Sequence, residues 1–309
     1  MSASKLKFVY FGGEPLGVPV LEALKSAGYV PGLVVASPDR PVGRKHVLTP
    51  PPVKVWAEAN QIPVIQPESF PTNPITPTTN EPTDSPTAGL GALVENEWDL
   101  FIVVAYNHIL PSWLINLPTH KTLNVHPSLL PLLRGASPIR SAILRDMREE
   151  LGVSIMLLDH KMDHGPVITQ KRLAIAAENW PMRGPELDAE LATLGGKLLV
   201  AALPAYCAGE LIPQAQEHEY ATYCGKFDKT DSQLTLDPHH LPTGPEAVAT
   251  LRTVYALMGG PDTYFIHNDQ RLKILDAQLS PDGTLMITKV TPAGKGPQLF
   301  SDWLAQQNK

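Results

Sequence analysis

Residues 5 to 37 read as strand, glycine turn, helix, strand, and that order leaves the chain few choices of architecture. Lys5 to Phe11 is a buried-strand pattern, with Leu6, Phe8, Val9, Tyr10 and Phe11 around one lysine. It breaks at Gly12–Gly13–Glu14–Pro15. Val18 to Ala27 then places Val20, Leu21 and Leu24 at helical spacing, with Gly28 as the stop. Gly32 to Ser37 is again apolar. A strand–helix–strand unit of this kind implies a parallel sheet. Leu100 to Ala105, LFIVVA, is the most apolar strand and belongs at the sheet centre. The turn Gly12–Gly13 is not Gly-x-Gly-x-x-Gly, and no P-loop lysine follows it, so the opening unit does not predict a dinucleotide site.

A second strand, Lys121 to Val125, runs into Asn124–Val125–His126–Pro127–Ser128–Leu129–Leu130–Pro131, with Arg134–Gly135 just beyond. Pro127 lacks a backbone N–H, so the ladder ends there. Strand residues two apart share a face, and Asn124 and His126 therefore project side by side at a strand end. A carboxamide can donate to a developing oxyanion, and an imidazole can donate to it or move a proton. Any one such residue alone is more often a satisfied structural side chain.

The ordered set of motifs says more. Asn124–x–His126–Pro127–Ser128–Leu129–Leu130–Pro131 with Arg134–Gly135 resembles the folate-dependent formyltransferases. Ser37–Pro38–Asp39–Arg40–Pro41–Val42–Gly43–Arg44, with Pro52–Val53–Lys54, resembles the branch of that family that formylates methionyl-tRNA. The matching stretches span most of residues 6–175. The resemblance implies Asn124, His126 and Asp163 as catalytic residues, with Asp163 in Met162–Asp163–His164–Gly165–Pro166. Of the two nearby acids, Asp163 precedes a tight turn that can aim a carboxylate at the strand, whereas Asp159 reads as a structural loop acid. The resemblance further implies a folate pocket lined by Tyr106, Ile109, Leu110, Ser128, Leu129, Leu130 and Pro131, outside the carboxyl ends of the strands. His108 reads as structural. Arg40, Arg44 and Lys45 are implied to meet the acceptor RNA, for which arginine's planar fork suits phosphate. The family's Gly–Thr–Pro turn appears here with Gly13 in place of threonine.

The remaining segments complete the reading. Pro38 to Pro52 is a loop rich in Pro, Gly and basic side chains, Val53 to Asn60 a helix, Ile62 to Gln66 a strand, and Leu90 to Trp98 a short helix. Residues 71–87 hold eleven Pro or Thr among seventeen and predict a flexible surface insertion. Gly152 to Asp159 and Val167 to Ile175 are strands. Arg134–Gly135–Ala136–Ser137–Pro138 opens a helix to Met147, and Pro185 to Cys207 is a long amphipathic helix whose leucine stripe is core. Ala221–Thr222–Tyr223 resembles the family's linker into a C-terminal domain. There Pro245 to Ala256 is a helix, and strands at Thr263–His267, Arg271–Leu279, Thr284–Thr288 and Gln298–Phe300 predict a small OB-like β-barrel. The expected fold is therefore a Rossmann-like, mostly parallel α/β sheet with helices on both faces (residues 1–210) followed by that barrel (residues 211–309).

Charge and cysteine content narrow the function. A net charge of −6 argues against a general nucleic-acid coat protein while leaving room for a local basic patch. Residues 211–309 carry eight basic against eleven acidic side chains, fewer positive charges than a tRNA-binding version calls for. Leu257–Met258–Gly259–Gly260–Pro261–Asp262 also stands where the family has Trp–Pro–Gly–Ala. Two cysteines make neither a zinc ribbon nor a disulfide scaffold. No apolar run reaches membrane-spanning length, no secretory h-region opens the chain, and with only two cysteines a reducing cytoplasm is the simplest compartment; a monomer is expected. The implied reaction moves formyl from 10-formyltetrahydrofolate, as co-substrate and without a metal, to initiator methionyl-tRNA in translation initiation. Three alternatives stand beside it. These are transfer to a small amine such as a sugar nucleotide or glycinamide ribonucleotide, hydrolysis of formyl-folate, and a non-catalytic RNA- or folate-binding role.

Overall fold

Apolar runs of four to six residues, broken by glycine turns and helices, build the first unit of the computed structural model, which describes residues 6–43, 46–74 and 89–307. β1 (Phe8–Gly12) is buried throughout and leads into α1 (Gly17–Ser26), whose buried side chains include Val20, Leu21 and Leu24. β2 (Leu33–Ala36) pairs parallel to β1. Next come a hairpin of β3 (Arg40–Val42) and β4 (Val47–Thr49), α2 (Pro52–Ala59) and β5 (Val64–Ile65). β6 (Leu100–Val104), β7 (Thr122–His126), β8 (Gly152–Leu157) and β9 (Val167–Arg172) complete a seven-stranded sheet in the order β9-β8-β7-β6-β1-β2-β5. β6, buried at all five positions, is the fourth strand of the seven, as its composition predicts. β5, β2, β1, β6 and β7 run parallel, whereas β8 and β9 are antiparallel to their neighbours.

The chain moves outward from β1 to β2 and β5, then returns to place β6 on the other side of β1. That reversal is a topological switch point, and loops after β1, β2, β6 and β7 gather at the carboxyl ends of the strands. An apolar cluster that includes Val9, Phe11, Leu33, Val35, Phe101, Val103 and Leu110 underlies it.

The chain divides into two compact units, Met1–Arg134 with Gly152–Leu173 and Ala189–Thr222, and Gly135–Leu151 with Ala174–Asp188 and Tyr223–Lys309. The second contains α3 (Pro138–Leu144), the first turn of α4 (Gly184–Cys207), α5 (Gly244–Leu257) and an antiparallel meander. Its strands are β10 (Tyr264–His267), β11 (Gln270–Leu279), β12 (Leu285–Pro292) and β13 (Gln298–Leu299), paired in sequence order. α6 (Phe300–Gln307) follows directly.

Several elements differ from their sequence pattern for physical reasons. The loop 38–52 contains the β3–β4 ribbon, with Val42, Val47 and Leu48 all exposed. Burial therefore does not mark it, and Pro41 is tolerated because a two-stranded ribbon has free edges. The helix expected over 90–98 is one turn, Gly91–Val94. The Trp98 indole N–H takes the Leu93 carbonyl at 3.1 Å and the Asn96 amide takes that of Ala92 at 2.9 Å, using acceptors that a further turn needs. Phe300 opens a helix instead of closing a strand, because Phe300 and Trp303 stack at 5.7 Å and Phe265 meets Trp303 at 6.2 Å. Of the expected insertion, residues 75–87 lie outside the described residues; Pro71 accepts a hydrogen bond from the Trp113 indole at 2.9 Å.

Candidate active site

β7 ends as its proline predicts, and its last residue, His126, is buried. Asn124, half-buried, lies two residues back on the same face of the strand. The His126 ring is held from one side by the Leu133 carbonyl, 3.1 Å from Nε2. A carbonyl only accepts, so Nε2 carries the proton and Nδ1 is the nitrogen left for chemistry. Nδ1 faces Asp163 Oδ1 at 3.6 Å, an electrostatic contact longer than a hydrogen bond. Both side chains are nearly enclosed, 5% and 12% exposed. Asn124, His126 and Asp163 thus belong to one unit, and His126 and Asp163 meet.

Asp163 reaches this position from a constrained turn. Its φ is +50°, a left-handed conformation uncommon for a non-glycine residue. Two residues on, a Cβ at Gly165 would stand 2.0 Å from the Leu157 carbonyl oxygen, so only glycine lets the turn lie against β8. Asp159 has different partners: it accepts from the Lys161 N–H at 2.8 Å and meets His164 Nδ1 at 2.6 Å. Burial raises its pKa, but the hydrogen bonds from His164 and Lys161 outweigh this and leave it below the usual carboxylate range.

The implied folate-lining residues fall into two groups. Ser128 donates to the Leu132 carbonyl at 2.6 Å and is buried, as is Leu130. The Leu130 N–H is fixed by Ser154 Oγ at 3.0 Å and its carbonyl by the Gln170 amide at 2.8 Å, so these residues shape the loop 127–133. Leu110 is part of the sheet core. Leu129 and Pro131 are half-buried, and Ile109 is 85% exposed. Tyr106 packs edge-on to Phe11 and Phe70, with His108 5.0 Å away. Burial raises the Tyr106 hydroxyl's pKa, so it stays a neutral donor, and no protein atom among the described residues bonds to it.

At the neighbouring β1 turn, a Cβ on Gly13 would stand 2.2 Å from Ser37 Oγ. The serine hydroxyl thus occupies the volume where a side chain at position 13 would begin, and it too lacks a partner among the described residues. The Gly13 N–H bonds the Ala105 carbonyl at 3.2 Å, which brings this turn against the residue before Tyr106. Unpaired buried hydroxyls beside aromatic and aliphatic side chains suit a planar, polar-edged heterocycle such as a folate.

Arg40 lies on the exposed β3 and pairs with Glu68 at 3.0 Å, both side chains more than half exposed. Such a pair contributes about 0–1 kcal/mol and exchanges readily for another anion. Arg44 and Lys45 lie outside the described residues. Lys54 bonds both Asp39 oxygens at 3.0 Å and Gln66 at 2.8 Å, and Gln66 holds the Ser37 carbonyl at 2.8 Å. That explains why lysine belongs in the Pro52–Val53–Lys54 stretch: it anchors the base of the hairpin.

Gln216 and Ser154 carry the surrounding network but had no signal in the sequence. Gln216 sits in a polar segment that resembles a linker, and Ser154 in an otherwise apolar strand.

Together the fold and this site define a formyl transferase: residues 5–203 match the Formyl transferase family model, and the chain belongs to that family. A methionyl-tRNA formyltransferase of Herpetosiphon aurantiacus is 35% identical over 96% of this chain and 97% of its own length. One of Chloroflexus aurantiacus is 36% identical over 97% and 96%. Among solved structures, an N-formyltransferase from Helicobacter canadensis in complex with folinic acid and dTDP-3-aminofucose superposes with a TM-score of 0.60. It covers 93% of this chain and all of its own at 17% identity, a likeness of fold.

Proposed function

We propose that this chain transfers the formyl group of 10-formyltetrahydrofolate to the α-amino group of methionyl-tRNA. The observation that carries the choice of acceptor is the full-length match: relatives named methionyl-tRNA formyltransferase are 35–36% identical over 96–97% of this chain, second unit included.

The geometry supports a direct transfer. The free amine attacks the formyl carbon, and its oxygen becomes an oxyanion. The Asn124 amide and an N–H at His126 Nδ1 donate to that oxygen. With Nε2–H already bonded to the Leu133 carbonyl, a donating Nδ1 makes the ring an imidazolium, and Asp163 supplies the counter-charge across 3.6 Å. As the C–N10 bond breaks, the proton lost by the amine reaches N10, with Asp163 relaying it. Tyr106, Ile109, Leu129 and Pro131 would hold the pterin, while Ser128, Leu130 and Leu110 set the shape of their loops. Arg40, Arg44 and Lys45 would meet the acceptor. The chain acts as a monomer in the cytoplasm, with the catalytic domain over 1–210 and the C-terminal domain over 211–309.

The test offers 10-formyltetrahydrofolate with methionyl-tRNA, an amino-sugar nucleotide and glycinamide ribonucleotide in turn. Tetrahydrofolate release matched by formyl-methionyl-tRNA is expected. Formylation of a small amine in its place would overturn the acceptor assignment.

A further inference from the structure

We infer that Gln216 is a positioning residue for formyl transfer, fixing the turn that presents Asp163 to His126. The inference rests on the formyl-transfer reading for its kinetic consequence and on geometry for its structural one.

Gln216 is buried, 8% exposed, and its amide is engaged at both ends. Oε1 accepts from Arg134 Nε at 3.1 Å and Nη2 at 2.6 Å. A guanidinium has donors only, so the amide oxygen must face it, and this settles the orientation of the carboxamide. Nε2 then points at the Asp163 and Gly165 carbonyls, 2.9 and 2.7 Å away. Two N–H groups meet two acceptors. Arg134 is itself 1% exposed, so its buried charge keeps Gln216 from turning over.

What Gln216 grips is the backbone on either side of His164, beginning at Asp163 itself. A residue at φ +50° persists where its surroundings hold it there. The same stretch of chain also supports the imidazole. Thr222 Oγ1 accepts from the Leu133 N–H at 2.8 Å, the Thr222 N–H bonds the Pro131 carbonyl at 3.2 Å, and the Leu133 carbonyl accepts from His126 Nε2. Gln214 exchanges both backbone hydrogen bonds with Val167 at 2.8 and 2.7 Å. Residues 214–222 therefore brace both partners of the 3.6 Å contact, and the Gln216 side chain bonds to Asp163's own backbone.

The discriminating variant is Gln216→Glu. A carboxylate still accepts from Arg134 but cannot donate to the two carbonyls, which leaves the turn unanchored. A misplacement of order 1 Å in a reacting group costs up to about 10²-fold. We expect kcat to fall roughly 10- to 100-fold, with folate and acceptor KM changed less than about threefold. In an Asp163→Asn background the same substitution should change kcat less than about twofold, because the charge that Gln216 positions is already gone. Gln216→Asn, too short to span both ends, should show the same pattern and serves if the glutamate variant does not fold. Hydrogen exchange reads the turn without any substrate: faster exchange at residues 163–167 is expected, with the strands of the central sheet changing less. Unchanged exchange in that turn, or losses that multiply with Asp163→Asn, would overturn the inference. A wild-type chain that formylates no amine, yet shows the faster exchange in the variant, would overturn the formyl-transfer reading and leave Gln216 as the holder of the turn.

Discussion

His126 has two nitrogens and two partners, and that division sets what each neighbouring acid can do. Nε2 is committed to the Leu133 carbonyl, so a carboxylate influences the reacting side only if it faces Nδ1, as Asp163 does. Asp163→Asn is expected to lower turnover severely, whereas Asp159→Asn, which keeps an oxygen for the Lys161 N–H and loses the carboxylate facing His164, should be mild. Steady-state kcat for the pair checks this; a reversed order would give the role to Asp159. Gly13 gives a second test. Gly13→Ala forces a Cβ against Ser37 and should cost about 1–3 kcal/mol in thermal unfolding, with Ser37→Gly restoring most of it. Asn124 and His126 stood out at a strand end closed by a proline, and Asp163 was singled out by a motif resembling the family's; the structure brings His126 and Asp163 within 3.6 Å. Ser37's place beside Gly13 was not legible, since it depends on how closely two parallel strand ends approach.

At the scale of elements, strands and long helices were readable from apolar runs, and the unbroken apolarity of Leu100 to Ala105 placed β6 at the centre of the sheet. The β3–β4 ribbon, the brace at 214–222 and α6 were not. The ribbon buries nothing, the brace works through backbone carbonyls that any sequence has, and α6 is fixed by aromatic stacking. The brace has a pH signature. Arg134 Nη2 donates to His218 Nδ1 at 2.9 Å, which requires that nitrogen unprotonated, and His218 stacks on His164 at 4.0 Å. Desolvation, then the charges of His164, Arg134 and Lys161, lower the His218 pKa, against a small opposing effect of Glu219. A base whose pKa is lowered on folding contributes stability above its unfolded value, about 6.5, and loses it as pH falls through the lower native value. The melting-temperature difference between wild type and His218→Gln should therefore grow in favour of wild type as pH rises through that window. A difference flat with pH would contradict the pairing.

For the molecule as a whole, the question is how an acidic chain meets an RNA. Net charge −6 gives no general attraction, so recognition has to be local. Arg44 falls in the chain between β3 and β4, in the basic stretch that includes Arg40 on the exposed ribbon. Arg44→Ala should raise the methionyl-tRNA KM without changing the folate KM. It should also reduce the dependence of log KM on log salt by roughly one unit for each phosphate that Arg44 neutralises. Superimposable salt curves would remove the ribbon from acceptor binding.

Asn124 and His126 are proposed to stabilise the oxyanion formed when methionyl-tRNA takes a formyl group at this site. Single-turnover transfer, with excess enzyme, saturating 10-formyltetrahydrofolate and methionyl-tRNA, isolates that step. Asn124→Ala and His126→Ala should each slow it by about 10²–10³-fold while binding both substrates as wild type does. Transfer at near wild-type rate in either variant would contradict the account.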